Sequence, residues 1–203
     1  MGIYGSYQFV ESHHKYRGHA VHAGSAILDM GGVPQLGPVP QHLQQVADDI
    51  VNGYWPAFTR FKERTGWQGR IWECPFVDPV RMYGGTSDTW GEMPGEEAVI
   101  LLDVKSGGLP EMVPVQLALY ELLAKNGVPV DQEHPGLGWL QATIKSGRPI
   151  KRMALRLTKD GKDTLFTQTS KGEDYSSPKW LAVASSLLNL YAVKSQYNLF
   201  DKS

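Results

Sequence analysis

Two residues at the far end of an apolar run carry the first chemical signal. In "LLDVKSGG" (Leu101–Gly108) an acid, Asp103, and a base, Lys105, stand two positions apart. On a strand both side chains therefore leave the same face. A second acid, Asp88, closes "GGTSD" one strand earlier. If the two strands form an antiparallel hairpin, the register that sets Asp88 against Asp103 centres its turn between Gly95 and Glu96. That midpoint falls inside the turn that Gly91, Pro94 and Gly95 mark independently. Opposed carboxylates repel unless something compensates, and a divalent cation is the usual remedy. Two acids, a cation and an ammonium suit attack of water on a phosphodiester, with the lysine orienting water or phosphate.

Each residue also has a plainer explanation. Asp103 and Lys105 can be solvated residues at a strand end, and Asp88 a turn aspartate after two glycines. Gln116 and Tyr120 are i and i+4 on the helix after the Asp103 strand, where they can be the polar edge of an amphipathic face. His22 shares a helical face with Ser25, Ala26 and Asp29 and can be a buried, hydrogen-bonded histidine. The joint occurrence of all of them favours chemistry.

The elements that must position these residues read as an α/β order: helix, helix, strands, helix, strands, helix. Helical character runs from about Gly18 to Asp29, ended by Gly31-Gly32, with the Gly/Pro-rich stretch Met30–Pro40 as a loop. Leu43, Val46, Ala47, Ile50, Val51 and Tyr54 recur at helical spacing, predicting one long helix from Gln41 to about Arg64. "GRIWECPF", "RMYGGTSDTW" and "EAVILLDVK" read as strands, the last two as a hairpin. "VPVQLALYELLAKNG" is a helix, and "IKRMALRLT" with "DTLFTQT" is a second hairpin across "DGK". Ser177-Pro178 opens a last helix whose apolar face is Leu181, Ala184, Leu187, Leu188 and Tyr191. No internal boundary is visible, so residues 1–203 read as a single domain with a mixed central sheet flanked by helices.

Composition narrows the classes. Of 203 residues, 41% are hydrophobic and 20% charged, ordinary for a globular chain with a real core. No apolar run reaches the ~18 residues of a membrane span, and the opening residues lack a secretory pattern. The single cysteine, Cys74, excludes an internal disulfide and any four-cysteine cluster and fits a reducing cytosol. Net charge of −1 gives no global attraction to nucleic acid, so any phosphate contacts must be clustered. G-x-S-x-G, H-E-x-x-H and Walker A patterns are all missing from the sequence.

The ordered set of His22, then Gly85-Thr86-Ser87-Asp88, then Asp103-Val104-Lys105, then Gln116 to Tyr120 resembles the RecB-type branch of the PD-(D/E)XK nuclease superfamily. The resemblance runs from about Arg17 to Tyr120. It implies a restriction-endonuclease-like core and a metal-dependent deoxyribonuclease. It further implies that His22, Asp88 and Asp103, with the carbonyl of Val104, hold Mg²⁺ or Mn²⁺, that Lys105 is the catalytic lysine, and that Gln116 and Tyr120 position DNA or the catalytic strand. Glu73, one strand upstream, is a candidate to support the metal ligands from behind or to bind a second metal, or equally an edge-strand surface glutamate. Some relatives carry an iron–sulfur cluster on four cysteines, which this chain cannot supply. What remains is similar to the small exonucleases that phages pair with single-strand annealing proteins, so DNA, such a protein or a recombinase, and a bacterial or phage-infected cytosol are the expected setting. Whether the chain forms a homo-oligomer is left open.

Local basic candidates for DNA are His13–His19 with Arg17, the Arg60, Lys62 and Arg64 group, and Lys151, Arg152 and Arg156. Arg152 and Arg156 project from one strand face, as a groove wall or a solvated surface. Trp67, Trp90 and Trp139 could stack on unpaired bases or belong to the core. The competing reading is a nuclease-fold relative without activity, retained as a DNA-binding or assembly module. The presence of Asp88, Asp103 and Lys105 together argues against it.

Overall fold

The computed structural model describes residues 12–196. The opening segment and the Tyr191 side chain lie outside the described residues. Helix α1 (His13–Asp29) starts earlier than the sequence pattern indicates, because Ser12 Oγ accepts the Lys15 N–H and caps it. The expected long helix is one helical run in four parts: a 3₁₀ turn at Gln41–Leu43, α2 (Gln44–Asp49), a π-helical turn at Ile50–Tyr54, and α3 (Trp55–Thr65). A single turn of π-helix rotates the residues beyond it relative to the first half.

Strands β1 (Gln68–Asp78), β2 (Tyr83–Glu92) and β3 (Val99–Lys105) form an antiparallel meander. After α4 (Val113–Asn126) come the two-residue β4 (Val128–Pro129) and α5 (Leu137–Lys145). The chain then forms the hairpin β5 (Ile150–Leu157) and β6 (Asp163–Phe166), and ends in α6 (Pro178–Gln196). Arg81, expected at the start of β2, instead lies in the preceding turn, where its side chain pairs with Asp78 at 2.7 Å. Sequence reading did not anticipate α5, a short helix following the glycine and proline residues at 135–136.

The result is an α/β architecture with a six-stranded mixed sheet flanked by helices, in the order β4-β1-β2-β3-β5-β6. The β3 and β5 strands are parallel, joined by the crossover through α4 and α5. Central β3 is buried on both sides, which is why it reads as a continuous apolar run. Ile100, Leu102 and Val104 face a core built with α1 and α3. Leu101 faces a second core with α4 and α5, and Asp103 alternates onto that same face. On α6, Ala184 and Leu188 turn inward while Leu187 is exposed, so only part of the expected apolar face is used.

Two contacts fix α1. Its end is held by the buried carboxylate of Asp29, which pairs with Lys62 at 2.9 Å and accepts the indole N–H groups of Trp67 (3.2 Å) and Trp72 (2.7 Å). Its middle lies so close to α3 that a Cβ on Gly24 would fall 1.9 Å from Trp55 Nε1, and that indole donates to the Ala20 carbonyl at 3.1 Å. We expect Gly24→Ala to destabilise the protein. The better helix propensity of alanine, about 1 kcal/mol, is outweighed by displacement of a rigid, bonded indole, so the net loss should be about 1–3 kcal/mol. Urea denaturation checks this, and a variant as stable as wild type would refute it.

Candidate active site

The β2/β3 ladder pairs Gly91 with Ile100, Trp90 with Leu101 and Thr89 with Leu102. One step further in that register sets Asp88 against Asp103, as the hairpin arithmetic requires. The ladder pairing stops there, and Asp88 takes the next backbone donor with its side chain: Asp88 Oδ2 accepts the Val104 N–H at 2.7 Å. Asp88 is further fixed by its strand, in which Trp90 Nε1 donates to the buried Ser87 Oγ at 2.9 Å.

Asp103 has no solvent exposure. Its Oδ1 meets Lys105 Nζ at 2.8 Å, and its Oδ2 is buried with no hydrogen-bond partner among the described residues. Burial and then the charge of Asp88 push the Asp103 carboxyl up from 3.8 to about 7, against the opposing pull of Lys105 and His22. His22 Nδ1 lies 3.4 Å from Asp88 Oδ1. Burial lowers the His22 pKa, but its hydrogen bond to Asp88 and the charges of Asp88 and Asp103 outweigh that, and the net shift is upward.

Helix α4 supplies the other side. Lys105 Nζ donates to Gln116 Oε1 at 3.3 Å, and Gln116 Nε2 donates to the Tyr120 hydroxyl at 2.8 Å. The i, i+4 spacing makes the second bond, and it orients the amide so that its oxygen faces the ammonium. The Tyr120 ring lies over β2, where a Cβ on Gly85 would come within 3.2 Å of Tyr120 Cε1. The glycine of "GGTSD" therefore has a packing reason.

The structure thus brings His22, Asp88, Asp103, Val104, Lys105, Gln116 and Tyr120 into one chain of contacts. Arg17 joins them: its Nε donates to Ser106 Oγ at 3.4 Å, its Nη2 lies 3.3 Å from His14 Nδ1, and its charge opposes the burial that raises the Tyr54 pKa. Tyr54 lies in the π-helical turn. Tyr175, buried in the segment before α6, packs in the same core as Leu101 and Ala154, and the charge of Asp103 adds to the burial that raises its pKa. Sequence reading missed Ser106, Tyr54 and Tyr175. Only Ser106, directly after Lys105, carried a local signal.

Other expectations are corrected. Arg152 is no groove-wall residue: it is 1% exposed, its Nε 3.4 Å from Glu121 Oε2 and its Nη2 donating to the Ser177 carbonyl at 3.0 Å. It does share a sheet face with Arg156, but α4 and residues 176–177 cover its end of the strand. Lys151 points to the opposite face and pairs with Glu96 at 2.5 Å. Lys62 is engaged by Asp29, Arg64 by Asp163 and Arg60 by the Gly161 carbonyl. Trp67 and Trp90 are core residues, and Trp139 is half-buried. Glu73 lies opposite Asp88, between the pairs Trp72–Thr89 and Cys74–Ser87, but it is exposed. Its φ of 44° is in the left-handed region although the ladder register runs unbroken across it, and no contact joins its side chain to the site among the described residues.

The two carboxylates, one with an orphaned, buried oxygen, suit a hard divalent cation, whereas the imidazole of His22 is a softer donor that such a cation does not require. Among the described residues no group of three or more His, Cys, Asp or Glu side chains is arranged to hold a metal ion. Mg²⁺ does not need one, since it keeps several waters and takes one or two carboxylates. No protein-family model and no curated protein matches the chain.

The raised Asp103 carboxyl has a pH signature. Below 3.8 it is protonated whether folded or unfolded. Between 3.8 and about 7 the unfolded chain releases the proton while the folded protein keeps it, so stability falls as pH rises through that window and levels off above it. In EDTA, wild type should therefore lose stability relative to Asp103→Asn between pH 4 and 7, and Mg²⁺ should reduce the loss. Urea midpoints of the two proteins that run parallel across this range would contradict the assignment.

Proposed function

We propose that this protein is a divalent-metal-dependent nuclease that hydrolyses phosphodiester bonds in DNA, acting as an exonuclease. The observation that carries the reading is the grouping of Asp88, Asp103 and Lys105 on neighbouring strands, with one Asp103 oxygen buried and unpartnered and the Lys105 ammonium braced by Gln116 and Tyr120. The residues that would hold Mg²⁺ or Mn²⁺ are Asp88, Asp103 and His22. The Val104 carbonyl is a further ligand in this reading, since the N–H of Val104 points at Asp88 and the carbonyl of a strand residue faces the same neighbour. When bound, the cation supplies charge neutralisation at the phosphate and acidifies water.

The chain's own residues do the rest. An ammonium has three donors. Lys105 commits one to Asp103 and one to Gln116, which leaves a third for the attacking water or a non-bridging phosphate oxygen. Gln116 holds the ammonium in place, and Tyr120 holds Gln116. Arg17, bonded to Ser106 beside the site, meets the DNA backbone in this reading. In this reading the sheet and its flanking helices are a restriction-endonuclease-like core, the protein works in the cytosol of a bacterium or phage-infected cell, and a single-strand annealing protein or recombinase takes up its product.

The test is digestion of end-labelled linear duplex DNA beside covalently closed circular DNA, in Mg²⁺, Mn²⁺ or EDTA. We expect metal-dependent loss of the linear substrate alone, with kcat reduced by about 10²–10³-fold or more in Lys105→Ala and Asp103→Ala. Cleavage of the circle would make the enzyme an endonuclease. A folded wild type that binds DNA but cuts neither substrate would replace this reading with that of a binding module.

A further inference from the structure

We propose that Arg156 is a phosphate-binding residue of the same site, taking the phosphate next to the scissile one on the β5 side of Lys105. This rests on the nuclease reading above. In the parallel β3/β5 ladder Arg156 is the direct partner of Lys105, so the two cations leave one face of the sheet side by side. The preceding pairs confirm the face: Arg152 is beside Leu101, and Ala154 is beside Asp103.

The charge of Arg156 has no internal use. Arg64, Arg70, Arg81, Arg148 and Arg152 each meet a carboxylate. Arg156 meets none among the described residues. Its guanidinium lies over the Phe166 ring, 5.6 Å from the centroid, and its Nε is buried without a hydrogen-bond partner. The ring holds the guanidinium plane in place, as stacking on an aromatic face does for arginine. A buried, unpaired donor is an arrangement native proteins rarely leave without a reason. The side chain is half-buried, so part of it remains open to a ligand. A guanidinium that is charged, oriented and short of acceptors beside a catalytic ammonium matches a phosphate oxygen in charge and geometry.

The experiment measures equilibrium binding of a short end-labelled DNA duplex by fluorescence anisotropy in EDTA, across a KCl series, for wild type, Arg156→Gln and Arg156→Lys. Losing one phosphate contact should weaken binding by about tenfold in Arg156→Gln and lower the slope of log K against log salt by about one. Arg156→Lys should keep the wild-type slope. Duplexes with single methylphosphonate linkages test the same contact in wild type alone. One position next to the cleaved bond should weaken binding in wild type and have no further effect in Arg156→Gln. An unchanged affinity and slope in Arg156→Gln overturns the assignment, as does an Arg156→Lys protein that loses the slope equally. A wild type that binds no DNA in EDTA, and none when Ca²⁺ replaces the EDTA, overturns the nuclease reading together with it.

Discussion

The burial of the Asp103 carboxylate is the constraint around which this molecule is arranged. It ends an apolar central strand with a charge that has no solvent exposure, and a carboxylate taken out of water must be neutralised, paired or bound to a cation. Only one of its oxygens has a partner within the described residues. The neighbours are chosen accordingly. Lys105 is attracted to it, Asp88 repels it, and His22 is drawn to the pair. Helix α4 cannot rotate freely on the sheet, because Gln116 must accept from the same ammonium. An apolar residue at position 103 would relieve all of these demands and would leave the Lys105 ammonium held by Gln116 without its carboxylate.

Assembly of the site depends on contacts remote from it. His22 belongs to α1, which packs on one face of the sheet, whereas Asp103 and α4 lie on the other. The helix is set in place by Asp29 about two turns downstream, by the close approach at Gly24, and by Lys62 donating to its final carbonyls at 3.0 and 3.1 Å. These contacts join α1 to α3 and β1, far apart in sequence, so a shift of α1 against β1 would move His22 away from Asp88. The acid pair is anchored by strand register instead, and the two halves of the site are therefore independently built.

Charge follows the same economy. With a net charge of −1, the surface offers no general attraction to a polyanion. Most arginines are consumed by carboxylates, and Arg60 by a backbone carbonyl. Arg17 and Arg156, both without a carboxylate among the described residues, lie on either side of the Lys105 strand end. Positive potential is thus retained where phosphate chemistry would need it.

Much of the site was legible in the sequence because it depends on local periodicity. Alternation placed Asp103 and Lys105 on one face, hairpin symmetry set Asp88 against Asp103, and the i, i+4 rule joined Gln116 to Tyr120. Each involves residues whose geometry is set within one element or across one turn. What only the tertiary structure decided was which members of a pattern stay accessible. Arg152 and Arg156 have the same strand parity, but α4 brings Glu121 over the first and leaves the second beside Lys105. Trp67 and Trp90 vanish into the core because of what packs on them. Tyr54, Ser106 and Tyr175 reach the site through a π-helical turn, a strand end and a loop, none of which has a period to read. Periodicity fixes the direction of a side chain from its own backbone, whereas burial and partnership depend on elements distant in sequence, and those are settled only when the layers close.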